Sequence, residues 1–441
     1  MFKIRPLHTK FDWLRKVKSN YFFLKIRGKF VQTFLISSFS QVLFTLIALA
    51  SIRVFFDSWG DNFFAKWTVM YAIAKILEFI DFGIINNFAN MAIEDVKSGG
   101  SIDKNRLNAS LRSLSLINAI KFTFIASLFA FNVFVGSSNE LILLLVLTIT
   151  SFFANYVGLF VQVFRSVGSL KTAAKMSGSF TVLIHFAYLA GALVGMSALV
   201  CAVIGLLFSV AAALICFQMT MSSGFIKNTR GEVKTNFKIT NLNFQMITII
   251  GASSIYIVNL VVAYIFQPKD LAIFMAVRTF LRIPALIIGL ATISVSPEFR
   301  RLFLNNEIDK LRALIFRLRF IANLTITIAA LILFFQLDNI IQVVIPRYNT
   351  HSLFLTIIVI LYMIVISSSL IDRTILLATN FEKQFAIGYL AISSFGVVLL
   401  VTYASNLQNI FIILALAEVP NYLFCKILVF KRDSRIQFKL F

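Results

Sequence analysis

The chain has little of what a soluble enzyme needs. Only 14% of its 441 residues are charged, and just 19 are Asp or Glu. The apolar runs follow one another closely, so neither a soluble catalytic domain nor an external domain is encoded. The three cysteines, Cys201, Cys216 and Cys425, lie in or near apolar segments. They lack metal-ligand spacing, and no disulfide framework is expected. There is no phosphate loop of the G-x-x-x-x-G-K type, so no ATP site is encoded, and no nucleophile–base–acid set is visible. The expected cofactor and metal content is therefore none. Residues 1–30 are basic throughout and lack a short apolar core with a small-residue cleavage site, which excludes a signal-peptide reading. They read as a cytoplasmic arm, with Trp13, Tyr21, Phe22 and Phe23 available to the headgroup zone.

What is present is apolar mass. Hydrophobic residues make up 59% of the chain, and the mean hydropathy is +0.88. Soluble proteins hold about 45–50% apolar residues, so this is the composition of a polytopic membrane protein. A spanning helix needs about 20 mostly apolar residues, and twelve segments qualify. Those used below are the second, Phe64–Ile93; the third, Leu114–Phe134; the eighth, Leu271–Val295; and the twelfth, Ile410–Phe430. Phe, with 49 residues, supplies bulk for lipid contact and helix packing.

Lys and Arg number 41, more than twice the acids. They are scattered among short loops and cannot form one continuous groove, which argues against nucleic acid as a partner. With the N-terminus inside, most fall in alternate, cytoplasmic connections, as the positive-inside rule requires. Both termini are then cytoplasmic. Lys269 and Arg347 lie in outer connections, and Arg53 and Lys66 near helix ends. Lys75, Lys121, Arg278 and Arg282 fall within spans.

The sequence also repeats. Ile102-Asp103-Lys104-Asn105-Arg106 follows the second span, and Ile308-Asp309-Lys310-Leu311-Arg312 follows the eighth. With a one-residue gap, Trp67 aligns with Phe274 and Lys75 with Arg282. The expected organisation is a six-helix lobe over residues 31–220, a cytoplasmic linker over 221–240, a second lobe over 241–430 and a tail over 431–441. Six helices preserve orientation, so the repeats are parallel, and transporters commonly place the substrate path between such halves.

The charges inside the spans carry the functional signal. Arg278 and Arg282 are one helical turn apart, about 10 and 16 Å below the outer surface at 1.5 Å per residue. A guanidinium at mid-membrane costs about 2.5–3.5 kcal/mol on insertion scales. The helix of Arg282 offers no nearby acid, so its partner comes from another helix or from a substrate. Lys75 lies at a similar depth, with Glu78 and Asp81 following at three-residue intervals in a polar stripe that Asn86, Asn87 and Asn90 continue. Structural pairing of Lys75 with Glu78 competes with a role in a cavity. Lys121 has two equal readings, snorkelling or substrate contact. Glu418 sits mid-span, two residues before the helix-kinking Pro420. It either carries a proton or pairs with a buried cation. Asp372 and Arg373 are read as interfacial, and His185 as a packed aromatic.

Two runs carry a family resemblance. They are Trp59-Gly60-Asp61-Asn62-Phe63-Phe64-Ala65-Lys66-Trp67 and Phe79-Ile80-Asp81-Phe82-Gly83-Ile84-Ile85-Asn86-Asn87. Ala272 to Arg282, Ser296-Pro297-Glu298-Phe299, Glu307 to Arg312, and Leu376-Leu377-Ala378-Thr379-Asn380 add to it. Together they resemble the Wzx-type O-antigen and exopolysaccharide flippases of the multidrug/oligosaccharidyl-lipid/polysaccharide (MOP) exporter superfamily. Two features depart from that pattern: Lys66 precedes Trp67 where a glycine is expected after the aromatic, and the first span has no proline or glycine to bend it. The resemblance implies an all-α, MATE-like, V-shaped fold in the bacterial cytoplasmic membrane. It implies alternating access for an undecaprenyl-diphosphate-linked oligosaccharide, often coupled to an ion gradient, and partners among membrane lipids and other polysaccharide-assembly proteins. Lys75, Arg278, Arg282 and Lys121 would then line a cationic cavity. Glu418, Asp81 and Glu78 would be the candidates for ion coupling.

Other readings remain. A multidrug exporter of the same superfamily would want an acidic or aromatic cavity for cationic drugs. A peptidoglycan-precursor flippase resembles proteins with two further spans. An O-antigen polymerase or ligase, which would make the protein an enzyme, resembles proteins with a large external loop, and the outer connections here are short.

Overall fold

The computed structural model describes residues 21–130, 138–227, 256–304, 307–344, 353–378 and 382–431. The helices are α1 (Tyr21–Trp59), α2 (Asp61–Phe79), α3 (Ile84–Gly99), α4 (Lys104–Ala130), α5 (Ser138–Ser166), α6 (Leu170–Leu193) and α7 (Ala198–Ser222). After these come α8 (Tyr256–Ile265), α9 (Pro268–Leu304), α10 (Ile308–Val344), α11 (Leu353–Ala378), α12 (Glu382–Tyr403) and α13 (Leu407–Lys431). Helices dominate because lipid offers backbone groups no hydrogen bonds, so each span must satisfy its own. Among the described residues nine helices are long and apolar enough to cross a membrane: α1, α5, α6, α7 and α9 to α13. With α2, α4 and α8 they account for the twelve expected spans. α1 begins at Tyr21, so the end of the basic arm is helical.

The second expected span, Phe64–Ile93, is not one helix. α2 stops at Phe79, and the backbone turns left-handed at Phe82 (φ 50°) and Gly83 (φ 74°). Glycine pays no Cβ penalty there. Asp81 fixes the break: its carboxylate accepts from the backbone N–H groups of Gly83 (3.0 Å) and Ile85 (3.2 Å) and so caps α3. The polar stripe from Lys75 to Asn90 is therefore divided between two helices.

A feature not expected from the sequence is a short parallel strand pair. Ile102–Asp103 (β1) pairs with Ile226–Lys227 (β2), and the Ile102 N–H donates to the Phe225 carbonyl at 2.8 Å. It ties the α3–α4 connection to the end of α7. The expected linker falls mostly outside the described residues, which resume at Tyr256.

The packing repeats as the sequence does. In the first half, α5 packs against α2, α4 and α7, and α6 against α7. In the second, α11 packs against α9, α10 and α13, and α12 against α13. The halves meet where α9 lies against α1 and α2, and α10 against α1. Across this seam, Phe64 and Trp67 share one apolar cluster with Leu271 and Phe274, and the Thr68 hydroxyl lies 3.6 Å from Met275 Sδ. Large apolar side chains such as Phe39, Phe316 and Phe335 point outward, at more than 70% exposure, as lipid contact requires.

Candidate functional site

Each half holds its own cluster of buried charge. In the first half α2, α5 and α6 enclose a polar cavity of about 50 Å³. Lys75 and Glu78, one turn apart on α2, form an ion pair of 2.6 Å on its wall. Lys75 Nζ also lies 5.7 Å from the centre of the Tyr71 ring. The Tyr71 hydroxyl is 2.7 Å from His185 Nε2, and His185 Nδ1 is 2.8 Å from the Thr181 carbonyl. A carbonyl only accepts, so Nδ1 carries the proton and Nε2 accepts from tyrosine. His185 packs edge-on against Phe44 and Tyr188, the aromatic role expected of it, with a tyrosine bond added. Trp59, Trp67 and Tyr188 extend this aromatic wall towards the outer end.

Lys121 is 5% exposed on α4 and does not reach the interface by snorkelling. It donates to Asn118 Oδ1 at 3.2 Å and lies over the Phe152 ring. Its nearest charges are Asp81 and then Glu78. The structure thus brings together Lys75, Glu78, Asp81 and Lys121, with two cations balanced by two acids.

In the second half Arg278 is 6% exposed. It donates to Asn259 Oδ1 of α8 at 2.9 Å, stacks over Phe274 at 5.4 Å, and has the Tyr362 hydroxyl of α11 as a further polar neighbour. These contacts lie within its own half. Arg282, one turn deeper, is half-buried and makes no hydrogen bond or ion pair among the described residues. No described contact joins Lys75 to either arginine.

Glu418 is paired across helices. Arg373 of α11 donates to its Oε2 at 2.8 Å, and Asn421 donates to the same oxygen at 3.4 Å. Arg373 also donates to the Tyr389 hydroxyl at 3.0 Å and covers that ring. Its neighbour Asp372 accepts from Arg319 of α10 at 2.8 Å. Asp372 is 2% exposed, so this pair is buried in protein where the sequence suggested an interface. Nothing along α11 alone marks Arg373 as the partner of Glu418, because the pairing depends on how α11 meets α13.

No family model and no curated protein matches the chain. Solved structures do. The chain is similar to the inward-facing conformation of a multidrug resistance MATE family transporter of the MOP superfamily, at 11% identity and a TM-score of 0.62. That match covers 89% of this chain and 96% of the other. It is similar to an outward-facing MATE conformation at 13% identity and a TM-score of 0.68, covering 93% and 96%. A MOP superfamily transporter from Pyrococcus furiosus, described as having a binding pocket of reverse polarity, matches at 13% identity and a TM-score of 0.67, covering 92% and 96%. Identities this low speak for the fold and nothing finer. The protein is a multi-pass, all-α membrane protein with the fold of the MATE-type transporters of the MOP superfamily.

Proposed function

We propose that the protein is a transporter that moves a lipid-linked anionic oligosaccharide across a bacterial cytoplasmic membrane by alternating access. The observation that carries this reading is Arg282. It sits about 16 Å into the apolar span that starts at Leu271 and has no hydrogen bond or ion pair among the described residues. An uncompensated guanidinium at that depth is costly unless something polar visits it. A diphosphate suits it, because the planar guanidinium can hold two oxygens at once. Arg278 then adds positive potential around the path, Lys75 and Lys121 serve as polar donors whose charge Glu78 and Asp81 balance, and the lipid tail stays in the bilayer. Ion coupling is assigned first to Glu418, then to Asp81 and Glu78, and both termini to the cytoplasm.

The multidrug reading shares the fold. A site for cationic drugs needs an available acid. The buried carboxylates of Glu78, Asp372 and Glu418 already face Lys or Arg, and that of Asp81 caps α3. The reverse polarity of the binding pocket described for the Pyrococcus furiosus protein, and the different function it is said to suggest, support a range of functions within this fold.

The test is movement of a fluorescent short-chain prenyl-diphosphate glycan between leaflets of proteoliposomes. Movement that depends on the protein and stops in Arg282→Ala supports the reading. Movement of a lipophilic cation in place of the glycan sinks it in favour of drug export.

A further inference from the structure

A second cavity, of about 330 Å³, lies in the first half where α5 ends and α6 begins, the end that the proposed topology puts in the cytoplasm. That volume reaches the lower end of the range for small-ligand sites, about 300–1,000 Å³. The inner ends of α1, α3, α5 and α6 form its walls, and Leu290 of α9 closes one side. α1 and α6 are drawn together where Gly178 faces Ser40, because any Cβ at 178 would collide with that hydroxyl.

The lining has one sign of charge. Among the described residues that line it, Arg165, in the last turn of α5, is the only ionisable side chain, and none carries a carboxylate. Arg165 makes no side-chain hydrogen bond or ion pair among the described residues and is exposed. Around it stand Ser37, Gln41, Gln162 and Ser177, whose side chains also make no hydrogen bond among the described residues. Lys75, Lys121, Arg278, Arg319 and Arg373 differ from Arg165 in having protein partners. A set of free hydroxyls and amides around one free guanidinium matches an anionic, hydroxyl-rich ligand. The guanidinium takes a phosphate or carboxylate, and the amides and hydroxyls take sugar hydroxyls. Arg165 is the penultimate residue of its span, Asn139–Ser166, which puts it at headgroup depth.

We infer that this groove is the cytoplasmic loading site for a phosphate-linked sugar, with Arg165 on the phosphate and Ser37, Gln41, Gln162 and Ser177 on the sugar. The inference rests on the translocation reading above and adds where the substrate is first held. Loading at Arg165 precedes transfer to Arg282, which belongs to the other half. Arg165 is absent from the sequence-level candidates because a basic residue in an inner loop looks topogenic.

The experiment uses the full chain in phosphatidylcholine nanodiscs, with Leu170→Cys, on the exposed rim of the groove, as a reporter for a soluble maleimide. The native cysteines are buried. The probe is a short-chain prenyl-diphosphate N-acetylglucosamine, and leaflet transfer of the same probe is followed in parallel in proteoliposomes. The expected result is that the probe slows labelling at position 170. Arg165→Ala should raise the probe concentration needed by about tenfold or more, the scale of one charge-assisted hydrogen bond. Arg165→Lys should fall between. Unchanged protection in Arg165→Ala overturns the site. Equal protection by phosphatidylglycerol in the nanodisc also overturns it, because the groove would then be a phospholipid contact. Probe transfer without protection at 170 overturns the groove and leaves the translocation reading standing. Absence of both transfer and protection overturns the two together.

Discussion

Arg373 donates a 2.8 Å hydrogen bond to Glu418 Oε2, joining α11 to α13 next to Pro420. The Arg373 and Glu418 side chains are 14% and 11% exposed, so neither charge is well hydrated. Removing one member leaves the other buried without its counter-charge, which costs on the order of 3–5 kcal/mol in protein interiors. Glu418→Gln and Arg373→Met are each expected to lower the thermal midpoint of the purified protein. The double variant Arg373→Met/Glu418→Gln should recover much of the loss. Additive losses in that cycle would show that the pair is not coupled.

The same variant separates structure from coupling. If Glu418 carries the proton, Glu418→Gln should still bind substrate while losing its response to an imposed gradient. Proteoliposome transport with and without the gradient measures this directly. A full gradient response by Glu418→Gln places coupling elsewhere and leaves the residue as the anchor of Arg373.

Arg278 and Arg282 should part company under substitution. Arg278 is held by Asn259 and Phe274, so Arg278→Ala should reduce the amount of folded protein in the membrane. Arg282 has no such bonds among the described residues, so Arg282→Ala should insert at normal abundance and abolish transport, while Arg282→Lys keeps part of it. Wild-type transport by Arg282→Ala would remove that residue from the path.

Lys75 and Glu78 form a short pair on a cavity wall. Lys75→Ala leaves Glu78 unbalanced beside Tyr71 and His185. It should cost more stability than the neutral pair Lys75→Met/Glu78→Gln. Thermal midpoints of the two variants, compared side by side, test this. The opposite order would mean that Lys75 is hydrated and available to ligand.

Topology can be checked by cysteine labelling in intact cells. A cysteine at Ser138, the outer start of α5, should react with an impermeant maleimide. One at Lys227, in β2, should not. Reaction at 227 from outside would invert the assignment of every loop.

Membrane residence, the count of spans and the internal repeat were legible in the sequence because they depend on properties that add up locally. Apolar length decides whether a segment crosses, basic loops decide which way it faces, and the recurrence of Ile102 to Arg106 at Ile308 to Arg312 marks the second copy. Helical spacing alone also indicated the Lys75–Glu78 pair. The break at Asp81–Gly83 was less visible, since apolar content continues through it and the reason is a left-handed backbone capped by one carboxylate. Tertiary structure decided which charges are occupied. The sequence sets Arg278 and Arg282 within a span, Arg373 at an interface and Arg165 in an inner loop, but it names a partner for none of them. Only the docking of α11 on α13 gives Arg373 its acid, only α8 gives Arg278 its amide, and only the convergence of four helix ends leaves Arg165 facing a polar groove. A charge in a low-dielectric setting takes its meaning from what surrounds it in space, and those neighbours come from helices far apart in the chain.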